Sequence, residues 1–149
     1  MRVSVIGGGV IDRETADVAR RVGRELAERG HTVVCGGLGG VMGAVCEGAD
    51  EAGGDTIGIV PGPDRAAANE YVDTAIATGM GNARNVLVVL NGEAAIAIDG
   101  STGTLSEIGH ALDFGRPVAG IDTHEIEGVE AVASATAAVD HVESAVESQ

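Results

Sequence analysis

The stretch Ala94-Ala95-Ile96-Ala97-Ile98-Asp99-Gly100-Ser101-Thr102-Gly103-Thr104-Leu105-Ser106-Glu107 decides the fold of this chain. Five consecutive apolar residues with no polar alternation predict a strand buried on both faces. A polar glycine turn over Asp99–Gly103 follows. Thr104–Phe114 then reads as a helix closed by Gly115. A buried strand feeding a helix through a tight turn is the repeating unit of a parallel α/β sheet.

The same alternation continues on both sides. Upstream, Arg2–Ile6, Thr32–Cys35, Asp55–Val60 and the short Val72–Ala77 read as strands. Glu14–Arg29 carries Ala16, Val18, Ala19, Val22, Leu26 and Ala27 at helical spacing and is capped by Gly30. Val41–Ala52 and Met80–Leu90 read as further helices, and Asp64–Tyr71 as an irregular surface loop. Downstream, Val118–Ile121 and a segment near Val129–Ala133 read as strands, and Thr136–Glu147 as an amphipathic helix. The expectation is an α/β three-layer sandwich: a mostly parallel sheet of six to seven strands with helices on both faces, in one domain over residues 1–149. In such sheets ligands bind beyond the carboxyl ends of the strands, at the topological switch point. The glycine turns after Arg2–Ile6, Thr32–Cys35 and Ala94–Ile98 would share that edge.

Composition narrows the partners. Hydrophobic residues make up 44% of the 149, yet Tyr71 and Phe114 are the only large aromatics, so the core is Val, Ile, Leu and Ala. The formal net charge is −14, from 23 acids against nine cations. All the cations are Arg. So acidic a surface excludes nucleic acid as a partner and fits a salt-rich cytosol, as in halophilic microbes. A chain without Lys has neither a Schiff-base lysine nor a P-loop lysine. Cys35 and Cys46 lack metal-ligand spacing and are expected to be reduced and buried. His31, His110, His124 and His141 are dispersed, so no protein-built metal site is expected. Met1-Arg2 leads straight into Val3–Ile6 with no leader-like run, and no apolar run reaches membrane length. The expected location is cytoplasmic, with no membrane partner.

Three segments carry candidate chemistry. In Asp99–Glu107, glycine backbone, the hydroxyls of Ser101, Thr102 and Thr104 and the start of a helix can cradle an anion. The alternative is a Ser/Thr cap on a tight turn, with Glu107 as its capping-box acid. In Gly36-Gly37-Leu38-Gly39-Gly40-Val41-Met42-Gly43 the glycines exceed what a turn needs. Close approach of a ligand is favoured there over tight helix–sheet packing, because a second glycine loop falls on the same edge. Arg84 stands alone in an otherwise uncharged helix. It can meet a phosphate bidentately or form a structural ion pair with Glu107 or Asp99. His110, three residues beyond Glu107, could orient that acid. Gly7 and Gly9 begin a dinucleotide fingerprint, but Asp12 takes the place of its third glycine, and Thr32–Cys35 ends without a ribose-binding acid. NAD is therefore excluded.

These three segments, in this order, resemble the LOG ("Lonely guy") proteins and the related molybdenum-cofactor carrier proteins, a Rossmann-like superfamily. The similarity spans roughly Val3 to Ile121. The LOG loop Pro-Gly-Gly-x-Gly-Thr-x-x-Glu corresponds to Asp99–Glu107, with Arg84 as the upstream arginine. Thr78-Gly79-Met80-Gly81-Asn82-Ala83-Arg84-Asn85 is closer to the carrier-like branch. The resemblance implies an α/β Rossmann-like sandwich that is homo-oligomeric. It implies catalytic roles for Arg84 and Glu107 if the chain is a nucleoside 5′-monophosphate phosphoribohydrolase releasing free base and ribose 5-phosphate. It implies a ligand-binding surface of Gly8, Gly37, Gly39, Gly40, Met42, Asn85, Gly100, Ser101, Thr102, Gly103 and Thr104 in either case. Asp99 replaces the signature's Pro and Ser101 its second Gly. With the carrier-like Thr78–Asn85, these departures favour a binding protein, carrier or sensor, for a phosphorylated nucleotide-like small molecule such as a molybdopterin-type cofactor. An acid beside phosphate calls for Mg²⁺ between them, or for Asp99 to point away. The lysine decarboxylase activity ascribed to some relatives finds no support in a chain without Lys.

Overall fold

The computed structural model describes Met1–Gln149. Seven strands form one parallel sheet: β1 (Arg2–Gly7), β2 (Thr32–Cys35), β3 (Thr56–Val60), β4 (Thr74–Ala77), β5 (Ala94–Ile98), β6 (Val118–Ile121) and β7 (Val129–Ala131). Their order across the sheet is β4-β3-β2-β1-β5-β6-β7. β2 to β4 therefore step outward to one side of β1, and β5 to β7 to the other. The switch point lies between β1 and β5, which pair from Val3–Ala94 to Gly7–Ile98.

Alternation along the strands sorts two cores. Val3, Val5, Val33, Cys35, Ile96 and Ile98 point to one face, where they meet α1 (Arg13–Glu28), α2 (Val41–Glu51) and α5 (Ala135–Glu147). Ile6, Val34, Ala95 and Ala97 point to the other, against α3 (Asn85–Leu90) and α4 (Thr102–Asp113). All five β5 residues are buried, as a strand covered on both faces requires. Ser4 is also fully buried, and its hydroxyl donates to the Val88 carbonyl of α3 at 2.7 Å. With so few large side chains, backbones must approach closely. A Cβ on Gly48 of α2 would run into the Arg20 carbonyl of α1, and one on Gly23 of α1 into the Val45 carbonyl of α2. No helix is long and apolar enough to cross a membrane.

The helix expected over Thr104–Phe114 begins two residues earlier, at Thr102, and two further elements differ more from the sequence expectation. The segment expected as helix Met80–Leu90 is a 3-10 turn, Gly81–Arg84, followed by the short α3. Gly79 and Gly81 take φ of 64° and 60°, outside the right-handed helical region, so an α-helix from Met80 is broken and α3 begins only at Asn85. The strand expected from Val72 begins at Thr74. Asp73 accepts the Thr56 N–H at 3.0 Å, and Thr56 Oγ1 donates to the Tyr71 carbonyl at 2.7 Å, so side chains hold the chain ahead of β4. The rest of the Asp64–Tyr71 loop is irregular apart from a single 3-10 turn at Arg65–Ala67.

Replacing Gly48 with Ala tests the helix contact. Helix propensity alone predicts a gain of about 1 kcal/mol, whereas overpacking a backbone predicts a loss of about 1–3 kcal/mol. The expected result is a lower urea midpoint; an unchanged or higher one would mean that α1 and α2 are not in backbone contact.

Candidate ligand-binding site

A cavity of about 150 Å³ opens at the carboxyl edge of β1 and β2. Its wall comes from the end of β1 with Gly7 and Gly9, from Gly36 after β2, from Met42 of α2, from Asn82, Arg84 and Asn85, and from Ser101, Gly103, Thr104 and Glu107. The three segments singled out in the sequence therefore converge on one place. Asn82 was not among the expected residues. It shares a face with Asn85, because residues three apart eclipse in a 3-10 turn.

Arg84 is only 7% exposed. Its Nε donates to the Ile59 carbonyl at 2.9 Å and one terminal nitrogen to the Gly36 carbonyl at 3.3 Å. The other terminal nitrogen donates to Asn85 Oδ1. A guanidinium carries five N–H donors, so these three bonds leave two for whatever enters. The ion pair with Glu107 or Asp99, open on sequence grounds, is not formed. Asn85 Nδ2 reaches Ser106 Oγ at 3.4 Å, and Ser106 Oγ donates to the Gly103 carbonyl at 2.7 Å. Arg84 is thereby coupled to the first turn of α4. Burial lowers its pKa while Glu107 and Cys35 push it back up, and an arginine so placed stays charged.

The start of α4 corrects one alternative. Ser101 is the N-cap and pairs with Thr104 in a capping box, the Ser101 N–H donating to Thr104 Oγ1 at 3.3 Å. Glu107 lies a full turn further on and is not the capping acid. It is 8% exposed, faces the cavity and has no hydrogen-bond partner. Burial raises its pKa to about 7, against an opposing pull from Arg84. The N–H groups of Thr102 and Gly103, first in the helix, have no intrahelical acceptor. His110 does not orient Glu107; its ring stacks on Phe114 with centroids 6.3 Å apart.

The other expected residues divide. Met42 and Gly36 meet across the rim, where a Cβ on Gly36 would lie 2.7 Å from both Met42 Sδ and an Arg84 nitrogen. Only glycine lets the guanidinium sit there. Gly40, at φ 64°, caps α2 while the Val41 N–H donates to the Gly8 carbonyl at 3.0 Å, which locks the first two glycine loops together. Gly8, Gly37, Gly39, Gly40, Gly100 and Thr102 do not line the cavity itself. Gly37 packs on Gly58 and Val60, Gly100 packs beside Thr104 and His124, and Gly39 faces open space. Ser101 is extended, at φ −124°, so it needs no glycine. Asp99 is the residue with unusual backbone, at φ 57°. Its carboxylate sits beside Gly8 and lines a neighbouring cleft with Asp12, Glu14 and Asp122, away from Arg84.

Fold and site together define a Rossmann-like α/β protein with a glycine-lined polar cavity at the β1–β5 switch point. The chain belongs to the SLOG cluster4 family, whose model matches residues 1–148. It is 46% identical over 121 residues to an uncharacterized protein of Archaeoglobus fulgidus, covering 81% of this chain and 80% of that one. The molybdenum cofactor binding protein from the phototrophic bacterium Rippkaea orientalis superposes with a TM-score of 0.92 at 30% identity, covering 97% of this chain and 96% of that one. The molybdenum cofactor carrier protein from Chlamydomonas reinhardtii superposes with a TM-score of 0.90 at 28% identity, over 99% and 98%. The family resemblance read from the three segments is thus established, and the likeness to carrier proteins supports a ligand-binding role.

Glu107→Gln tests the unpaired carboxyl. Its folded pKa, about 7, lies above the ordinary carboxyl value of 4.5. Ionisation therefore costs the folded state nothing below the unfolded value, progressively more between the two, and roughly 3 kcal/mol above the folded one. The variant is expected to match the parent in urea stability at pH 4 and to exceed it by up to about 3 kcal/mol at pH 8. An equal difference at both pH values would show that folding does not shift the Glu107 pKa.

Proposed function

We propose that this chain binds a phosphorylated, nucleotide-like small molecule, as a carrier or sensor, with a molybdopterin-type cofactor as the leading ligand class. The observation that carries the reading is the pairing of Arg84, with two free donors, and Glu107, buried without a partner, across one cavity beside the open end of α4. A fold gains nothing by burying an unpaired carboxyl, so such a group is expected where a ligand completes it.

The ligand's phosphate meets Arg84 and the N–H group of Gly103, which lines the cavity at the start of α4. Glu107 receives hydroxyl or amine donors. Ligand pockets are typically about 300–1,000 Å³, so this cavity takes the anionic end and leaves the ring outside it. With Tyr71 and Phe114 as the only large aromatics, the ring rests on aliphatic side chains and glycine backbone. Asp99 faces the other cleft, so no Mg²⁺ is needed to reconcile it with phosphate. Met80, Leu90 and Leu105 are about half exposed, and they give a homo-oligomer its seam on the lightly charged α3–α4 side.

The second reading, a LOG-type phosphoribohydrolase, draws on Glu107 itself. A carboxylate held near an anomeric carbon favours the positive charge that builds there during glycosidic cleavage. The backbone at Asp99 weighs against it. Proline cannot adopt φ 57°, so the loop that precedes the phosphate cradle departs from the LOG path.

Calorimetry with AMP and pyrophosphate in molar KCl, and chromatography for free base and ribose 5-phosphate, separate the two readings. Binding without release is expected; base release that vanishes in Glu107→Gln would make the chain an enzyme. Arg84→Ala is expected to weaken binding by about 100-fold, the loss of two charge-assisted bonds of about 1.5 kcal/mol each. Unchanged affinity would remove Arg84 from the site.

The net charge supplies an independent check. Raising KCl from about 0.1 to 1 M shortens the screening length from about 10 to 3 Å. Affinity for an anion is therefore expected to hold or rise. A steep fall would mean that local attraction outweighs the field of the acidic surface.

A further inference from the structure

Cys35 and Cys46 have no role in the proposed site, yet they flank one of its walls. Cys35 ends β2 and Cys46 lies in the second turn of α2. Their Sγ atoms are 3.5 Å apart, fully buried and not bridged. Between them in sequence runs the glycine loop Gly36–Gly40. The Gly37 N–H donates to Cys35 Sγ at 3.3 Å, and the Gly36 carbonyl holds Arg84. The dithiol therefore spans the loop that seats the cavity's only cation.

We propose that Cys35 and Cys46 form a reversible disulfide whose closure resets the Gly36–Gly40 loop and shuts the anion site. The disulfide stands independently; its effect on binding rests on the ligand reading above. Bonded sulfurs lie about 2.05 Å apart, so the pair must close by about 1.5 Å. Cys35 is held in the sheet, in register with Gly58, and α2 is jammed against α1 at Gly48. Closure therefore falls on the two cysteine side chains, and the Gly37 N–H bonded to Cys35 Sγ passes the movement to the loop.

Hydrogen peroxide is the oxidant. The Cys35 thiolate attacks one peroxide oxygen and the O–O bond breaks, giving Cys35 sulfenic acid and hydroxide. The hydroxide takes up the proton Cys35 released and becomes water. Cys46 then attacks the Cys35 sulfur, losing its proton, and the sulfenic oxygen leaves as a second water. Two thiols and one peroxide become one disulfide and two waters. Cys35 is the first nucleophile, because the hydrogen bond it shares with Cys46 and the Gly37 N–H that donates to its sulfur lower its pKa. The bond shared with Cys35, together with burial, holds Cys46 protonated until the second step.

The full chain is treated with peroxide and followed by intact mass, thiol titration, hydrogen exchange over residues 36–40, and calorimetry with AMP. The expected result has four parts: a mass lower by two hydrogens with both thiols lost, altered exchange confined to the loop, binding weakened by at least about tenfold, and full reversal by dithiothreitol. Cys46→Ser and Cys46→Ala, made in parallel in case one folds poorly, are expected to keep AMP binding after the same treatment and to show no loop change. Thiols that stay reduced at peroxide levels that oxidise the unfolded chain would overturn the proposal. So would a disulfide that leaves loop exchange unaltered. If reduced protein binds neither AMP nor pyrophosphate, the ligand reading fails, and mass and exchange still decide the disulfide.

Discussion

The buried guanidinium of Arg84 is the constraint around which this edge of the molecule is arranged. A cation taken out of water must find polar partners on every side. Here they are the Ile59 carbonyl at the end of β3, the Gly36 carbonyl after β2 and the Asn85 side chain at the start of α3. One side chain thus ties two strand ends to the segment that carries the chain across to the far half of the sheet. The arrangement holds only while Gly36 has no side chain. Glu107 supplies the countercharge from across the cavity instead of in contact, which leaves each group free toward a third.

The remaining arginines show how unusual that position is. Arg20, Arg24 and Arg29 spend their charge on the helical face. Arg29 alone joins Glu25 of α1 to Asp140 and Glu143 of α5. Arg116 donates to the Leu90 carbonyl at 3.1 Å. In a chain with net charge −14, Arg84 is the one cation lining the cavity, and the first turn of α4 beside it carries no acid. Any pull of this cavity on an anion is therefore local, and the long-range field opposes it.

Most of the fold was legible because its signals were of the robust kind. Ala94–Ile98 reads as a two-sided strand from apolar continuity alone, and Thr32–Cys35 and Val118–Ile121 have the bounds the sequence predicts. What escaped was set by backbone conformation and distant partners. Nothing in Met80–Leu90 forbids a helix until Gly79 and Gly81 are placed at positive φ. Glu107 satisfies capping-box spacing from Thr104, and only the true N-cap at Ser101 excludes it. Arg84 and Glu107 were visible as a pair through the family pattern and the lone charge. Their relation, facing but not touching, depends on carbonyls of β2 and β3 that no local window contains. Asn82 had a signal, its three-residue offset from Asn85, which a uniform helix also provides and which therefore did not stand out.

Asp99 shows how one substitution can separate function from fold. At φ 57° it occupies a region open to Gly, Asn and Asp but closed to Pro. The conformation is stitched in place: its N–H donates to the Ile121 carbonyl at 3.1 Å, and its own carbonyl accepts from Thr123 Oγ1 at 2.6 Å. His124 Nε2 lies 3.0 Å from the Ser101 carbonyl beside it. The loop's shape is thus borrowed from the segment after β6. This turn sends the Asp99 carboxylate toward the cleft of Asp12 and Asp122, and leaves the cavity with Arg84, Glu107 and bare helix N–H groups. The same backbone turn that a proline could not make therefore decides which acids line the cavity and which line its neighbour.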